Sequence, residues 1–174
     1  DEPRLIRLTV AGVPLINTYV PMGEKVDSAK FTYKLEWLDR LRQYFRRHFD
    51  PREPLIWCGD FNVAPEPIDV HDPVRLKNHV GFHPRARAAL EEIRTWGFVD
   101  VFRRHHPEEA NQYTFWDYRV RGAVDRGLGW RVDHIWATPP LADRSEGAWI
   151  DVGARRADRP SDHTFLVADF QARS

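Results

Sequence analysis

Leu55-Ile56-Trp57-Cys58-Gly59-Asp60-Phe61-Asn62 is the stretch around which the rest of the chain is organised. Four apolar residues in a row predict a short buried strand, and Gly59 ends the run. Asp60 and Asn62 follow at i and i+2, so in extended geometry their side chains leave on the same side. A carboxylate and an amide held together at the C-terminal lip of a buried strand are where an α/β enzyme keeps its chemistry. The plainer reading of an isolated G-D-x-N is an Asx-type turn closing a strand. What sets this one apart is the company it keeps along the chain.

Upstream, Leu5–Val10 and Val13–Tyr19 are β-prone runs separated by Ala11-Gly12, which predicts a hairpin ended by Val20-Pro21-Met22-Gly23. From Phe31 to about Phe49, apolar residues at 31, 35, 38, 41, 45 and 49 mark one face of a helix, stopped by Asp50-Pro51. Downstream, residues 64–81 are rich in Pro, Asp and His, a surface loop too long to be a mere connector. His71, Asp72 and His79 within it read as loop polarity. Pro84 opens a second helix that Gly97 closes. Phe98–Phe102 reads as a short strand or a helical turn, Tyr113–Tyr118 as an aromatic cluster around Asp117, and 119–129 as a flexible basic loop. Trp130–Ala137, Ala148–Ala154 and Thr164–Phe170 are the remaining strands, the middle one weakly marked. The order ββαβα…βββ, with no repeat and no linker, predicts one α/β domain over residues 1–174.

The chain has 174 residues, 42% hydrophobic and 13% aromatic with seven Trp, a composition that buries a core. Its 26 basic and 26 acidic residues cancel, which neither demands nor excludes nucleic acid. The basic set is 22 Arg against four Lys; Arg suits bidentate phosphate contacts, though a GC-rich genome gives the same bias. The single Cys58 excludes a disulfide framework and a cysteine metal cluster, and reads as a buried filler. No apolar run approaches the length of a membrane span and no signal peptide is visible, so we expect a soluble, cytoplasmic protein.

Three acidic positions recur beside strands: Asp60, Asp133 within Trp130–Ala137, and Asp162 in Asp162-His163 just before the last strand. Each alone has a plain explanation, a sheet-edge charge or turn chemistry, and a lone His163 is more often packed than catalytic. Together they supply what metal-assisted phosphodiester cleavage requires. Carboxylates bind a hard cation such as Mg2+ and orient water, and an imidazole paired with a carboxylate places a donor on a phosphoryl oxygen.

Asn17-Thr18-Tyr19-Val20-Pro21, Gly59-Asp60-Phe61-Asn62, Tyr113-Thr114-Phe115-Trp116-Asp117-Tyr118, Gly129-Trp130-Arg131-Val132-Asp133 and Ser161-Asp162-His163 stand in the order found in exodeoxyribonuclease III. The chain thus resembles the exodeoxyribonuclease III and apurinic/apyrimidinic endonuclease branch of the endonuclease/exonuclease/phosphatase superfamily. The resemblance implies an α/β (α+β) fold, half or most of a four-layer α/β/β/α sandwich. It implies Mg2+, with Mn2+ as a substitute, and double-stranded DNA carrying abasic or 3′-blocked sites. Asp60 then orients or deprotonates the attacking water, with Asn62 holding it or the phosphate. Tyr19 contacts the phosphate, His163 sits on the scissile phosphate oriented by Asp133, and Asp60, Asn62 and Asp162 face the metal. Phe115, Trp116, Trp130 and Val132 are the aromatic and apolar residues for a flipped-out abasic sugar, which is cheap to extrude because it lacks a base. Lys30, Lys34, Arg119 and Arg121 are candidate phosphate contacts, with a solvated face as the plainer reading.

The resemblance covers the family's C-terminal portion. Its N-terminal strand with a metal-side Asn, and the Gln-Glu pair whose Glu is the main metal ligand, have no counterpart here. We therefore expect an apolar sheet face left open, and a homodimer or a complementary N-terminal half that covers it. Two other functions share these residues: a lipid or inositol phosphate phosphodiesterase or phosphatase of the same superfamily, and a non-catalytic half-domain that binds DNA or a partner.

Overall fold

The computed structural model describes residues 3–172. Strands β1 (Leu5–Val10) and β2 (Val13–Tyr19) form the expected hairpin, and Ala11 and Gly12 both turn with positive φ, 48° and 78°. Two successive left-handed residues match the twist of the flanking strands. Helix α1 (Ala29–His48) follows, capped by the Ser28 hydroxyl, which accepts from Phe31 N at 3.2 Å, and ending in Arg46, Arg47 and His48 near its exposed carbonyls. Next come β3 (Ile56–Asp60), the long loop, α2 (Pro84–Gly97), and a minimal strand β4 (Val99–Asp100) running straight into helix α3 (Val101–His105). Both readings of Phe98–Phe102 are therefore present in succession. Strand β5 is Asp133–Ala137, shorter than expected because Trp130–Val132 pairs with other segments. A short helix α4 (Pro139–Ala142) leads to β6 (Ser145–Asp151), the helical turn α5 (Val152–Arg155) and β7 (Phe165–Phe170). The weakly marked strand thus starts three residues earlier than expected and ends in a helical turn.

The strands make two sheets, one in the order β1-β2-β3-β5-β4 and one of β6-β7. In the larger sheet β3 runs parallel to β2 and antiparallel to β5. Ile16, Trp57 and Trp136 lie directly opposite one another across β2, β3 and β5, on the face covered by α1 and α2. Phe31, Leu38, Leu41 and Phe45 of α1 and Ala86, Leu90 and Ile93 of α2 complete this core. Trp57 is its centre: fully buried, stacked on Phe61 at 3.9 Å, edge-on to Trp136 at 5.2 Å, with its indole N–H donated to Thr18 Oγ1 at 2.9 Å. Burial of each such side chain stabilises by roughly 1.5–3 kcal/mol. On the opposite face, Ile56, Ile135 and Ala137 pack with Ile150, Leu166, Ala168 and Phe170 of the small sheet. The layers are helix, sheet, sheet.

The small sheet does not reach across the whole of that second face. Along β1, Ile6, Leu8 and Val10 share one side and are 64%, 39% and 52% exposed. The expected open apolar face is present. Cys58, on the same face, is half-buried, and burial raises its thiol to about 11.

Beneath the other end of the sheet lies a buried charge network. The Arg131 guanidinium, fully buried, donates to Asp69 Oδ1 at 2.8 Å and Oδ2 at 3.1 Å and pairs with Asp100 at 2.8 Å. Arg103 reaches Asp69 at 2.5 Å. Two cations against two carboxylates leave no net charge to solvate, the condition for burying such a set. Burial alone would raise Asp69, but the charges and hydrogen bonds of Arg131 and Arg103 hold it below its ordinary value. Arg131 Nη1 also donates to His134 Nδ1 at 3.0 Å, which leaves His134 Nε2–H to donate to Val63 O at 3.0 Å.

Gly59 has φ of 122°, and a Cβ there would stand 2.1 Å from Thr18 O. Gly59→Ala should cost about 3 kcal/mol or more in urea unfolding; a loss under about 1 kcal/mol would show that β2 and β3 tolerate the intrusion. Burial, and then the Arg131 guanidinium, lower His134 from 6.5 to about 4. The unfolded chain therefore binds the extra proton first, and stability should fall as the pH drops from about 6.5 toward about 4, by up to roughly 3 kcal/mol. The imidazole resonances of native His134 should stay still between about pH 7.5 and pH 5, and a midpoint near 6.5 would contradict the buried neutral ring.

Candidate active site

Tyr19, Asp60 and Asp133 lie directly opposite one another where β2, β3 and β5 meet. Paired residues point to the same side of a sheet, here the side facing β6 and β7, so the row opens between the two sheets. Tyr19 is exposed, with the Arg4 guanidinium over its ring at 5.0 Å.

Asn62 closes β3 differently from the extended geometry expected. Its φ is 50°, the left-handed region that Asn tolerates. Its backbone N–H donates to Asp60 Oδ1 at 2.8 Å, while its side-chain Nδ2 donates to Asp60 Oδ2 at 3.0 Å and to Val20 O at 2.9 Å. The motif is thus an Asx turn as well as a site: Asn62 grips both oxygens of Asp60 and aims the carboxylate. Burial, then the facing Asp133 carboxylate, push Asp60 up to about 7. A carboxyl so raised marks a spot short of positive charge.

The aromatic segment 113–116 sews the remaining pieces to this row. Thr114 and Phe115 N–H both donate to Trp130 O, Trp130 N–H donates to Phe115 O, Trp116 N–H to Asp162 O, and Thr164 N–H to Thr114 O, all at 2.8–2.9 Å. The buried Thr114 Oγ1 accepts from Val132 N and Asp133 N at 3.1 Å each. Held this way, His163 Nδ1 meets Asp133 Oδ2 at 2.7 Å, with its ring 4.9 Å from Phe115. Burial opposes a charge on His163, but the hydrogen bond it donates to Asp133 and the charges of Asp133, Asp60 and Asp162 raise its pKa overall. With Nδ1 committed to Asp133, Nε2 is the atom left to address a ligand.

Phe115 is half-buried and presents a ring to the opening, while Trp130 and Val132 back it in a cluster with Ala64, Val70 and Phe82. Trp116 is a correction. It is buried among Tyr113 and Ala123, in a different cluster from that of Phe115. Lys34 is a second correction: it is 0% exposed, and its ammonium donates to Met22 O, Asn62 O and Val80 O at 3.2, 2.8 and 3.1 Å. It holds the fold and cannot reach a phosphate in solvent. Lys30, exposed, pairs with Glu24 at 2.6 Å and borders a cleft of about 550 Å³ with Arg4, Tyr19, Met22 and Tyr33. Arg119 pairs with Asp117 at 2.6 Å on the exposed loop that also carries Arg121. Exposed pairs like these hold weakly.

Sequence reasoning missed several supporting residues. Thr114 and Arg131 lie inside quoted motifs, but their buried bonds to Asp133 and Asp69 carry no sequence signal. His79, set aside as loop polarity, places its ring 4.6 Å from Trp130. As for a metal, Asp60, Asp162 and Asn62 bring the oxygen donors Mg2+ takes. Yet among the described residues no group of three or more His, Cys, Asp or Glu is arranged to hold an ion. These residues do not complete a metal site by themselves. Among the described residues no helix is long and apolar enough to cross a membrane.

Comparisons with known proteins place the chain among relatives. A model of the endonuclease/exonuclease/phosphatase family matches residues 2–163. An exodeoxyribonuclease of Bacillus subtilis is 33% identical over 91% of this chain and 62% of its own length, and exodeoxyribonuclease III of Haemophilus influenzae 31% identical over 90% and 61%. Among solved structures, an AP endonuclease from Archaeoglobus fulgidus superposes with a TM-score of 0.94 at 58% identity, covering 96% of this chain and 65% of that one. The 3′ phosphatase NExo from Neisseria, bound to a product DNA hairpin, gives 0.88 at 37%, covering 98% and 66%. The chain spans somewhat under two thirds of the length of these relatives, with their α/β fold in that part. It belongs to the endonuclease/exonuclease/phosphatase family.

Proposed function

We propose that this chain carries the phosphate-side half of a DNA repair nuclease that hydrolyses phosphodiester bonds 5′ to abasic sites. The same site would serve 3′–5′ exonuclease and 3′-phosphatase action on double-stranded DNA. One observation carries the reading: Asp60 gripped by Asn62, the His163–Asp133 pair and Tyr19 all open onto one place beside Phe115. The relatives named as exodeoxyribonucleases and AP endonucleases support it.

The chain's own residues divide the work. Asp60, raised by burial to about 7, accepts a hydrogen bond from the attacking water and takes its proton. The water oxygen bonds to phosphorus as the bond to the leaving oxygen breaks, and that oxygen takes a proton from solvent to become a 3′-hydroxyl. His163, anchored at Nδ1 by Asp133, turns Nε2–H to a phosphoryl oxygen, where negative charge grows. The Tyr19 hydroxyl is a second donor to the phosphate. Phe115, with Trp130 and Val132 behind it, receives a sugar without a base. Lys30, Arg119 and Arg121 hold flanking phosphates.

Enzymes of this family generally use divalent metals. Mg2+, or Mn2+ in its place, is the ion proposed here; Asp60, Asn62 and Asp162 would supply oxygen donors to it, and it would stabilise the charge that grows on the phosphoryl oxygens. The further donors come from polypeptide that covers the open face along Ile6, Leu8 and Val10. We take this to be polypeptide equivalent to the part of the relatives outside the matched region, in preference to a second copy of the chain. The incomplete donor set favours one rival, a half-domain that binds DNA without cutting it.

Incision of a duplex oligonucleotide bearing one abasic site separates these readings. Mg2+-dependent cleavage 5′ to the site, abolished by EDTA, should fall by about 10²-fold or more in Asp60→Ala and in His163→Ala. DNA binding that survives EDTA, with no cleavage at any metal concentration, would make the chain a binding half.

A further inference from the structure

Lys34 occupies an inward position of α1, in register with Phe31, Leu38, Leu41 and Phe45, where an apolar side chain belongs. Its stem lies against Gly23, whose added Cβ would stand 3.2 Å from Lys34 Cδ. Its ammonium, with three hydrogens to give, meets three main-chain carbonyls: Met22 O from the segment after β2, Asn62 O from the lip of β3, and Val80 O from the end of the long loop. Among the described residues no other side chain is seen to hydrogen-bond all three segments.

A buried ammonium is costly unless every hydrogen is used. The cost is visible in its own proton affinity, which burial lowers to about 7 while the charge of Asp60 raises it. A helix needs no such group for stability; Met or Leu would fill the position. What the lysine does that they cannot is hold the Asn62 carbonyl, and thereby keep a non-glycine residue in the left-handed turn, φ 50°, from which both N–H groups of Asn62 reach Asp60. The same ammonium fixes Val80 O one residue from Gly81, which lies near Asn62 O and the Trp130 ring. Its distance from solvent separates this role from that of the surface lysines and arginines.

We infer that Lys34 is a positioning residue, an internal cation that locks the Asn62 turn and the two flanking segments so that Asp60 is aimed. This rests on the nuclease reading for its effect on turnover, but not for its effect on Asn62.

Lys34→Met keeps the stem and removes the donors. Incision of a duplex carrying one stable abasic analogue should lose about 10- to 100-fold in kcat, with KM within about threefold. The side-chain amide signal of Asn62, one of four asparagines in the chain, should shift and exchange faster with water. An unchanged kcat, or a rise in KM alone as for a phosphate contact, overturns the inference, as does an Asn62 signal that stays in place. If the parent chain incises nothing, its own donor set does not suffice for cleavage, and the Asn62 signal still decides the role of Lys34.

Because Lys34→Met leaves three carbonyls without a donor and risks the fold, the unmodified chain supplies a second measurement. With isotope-labelled lysine below neutral pH, the Lys34 ammonium should exchange slowly and show a through-hydrogen-bond coupling to the Asn62 carbonyl. Four lysine ammonium groups that all exchange as fast as surface ones would overturn the inference.

Discussion

The ion pair between Arg131 and Asp69 is the contact on which the site end of the molecule depends. Asp69 sits in a turn of the long loop and Arg131 just before β5, 62 residues later, and both are fully buried. Alone, either charge would cost more than a domain's net stability leaves to spare; removal of one partner from such a pair typically costs about 3–5 kcal/mol. The pair closes only when the loop, α3 through Arg103, and β5 are all in place. Its position between Trp130 and Val132 means that the same contact sets the backing of the Phe115 surface.

From this network, order passes to the row above it through single atoms. Arg131 fixes the tautomer of His134, and His134 Nε2 holds Val63 O, next to Asn62. Lys34 holds Asn62 O from the other side. Asn62 in turn grips both oxygens of Asp60. The candidate site is thus suspended from two buried cations on opposite sides of one left-handed turn, neither of which faces the solvent. Preorganisation of this kind limits how far a carboxylate wanders before it reacts. Conversely, the open strip along β1 shows a face whose apolar residues are patterned for burial and have little against them.

Much of the architecture was legible in the chain. The hairpin, both long helices and the buried strand at Trp57 follow from alternation, helical spacing, and Gly and Pro punctuation, because each depends on neighbours within a few residues. The ends were less legible: Trp130–Val132 left its strand to pair with Phe115, and the segment expected at Ala148–Ala154 began at Ser145, since strand limits depend on a partner strand. Among site residues, Asp60, Asn62, Asp133 and His163 stood out by type and by place beside strands. Lys34 did not, although its spacing from Phe31 and Leu38 falls on the buried stripe. A lysine there reads as surface until the three carbonyls that receive it are seen.

The sequence by itself determined which residues carry chemistry and which stretches hold them, because residue type and local periodicity are properties of a short segment. The Asx turn at Asn62 was the plainer reading of Asp-x-Asn after a glycine, and the structure has it in place of the extended geometry. Only the tertiary structure decided that Tyr19, Asp60 and Asp133 stand in one row, that His163 reaches Asp133 across 30 residues at 2.7 Å, and that Trp116 turns inward while Phe115 faces out. Those facts arise from strand register and from carbonyls and charges contributed by distant segments. Burial then gives such groups their strength, by removing the water that would otherwise compete for them.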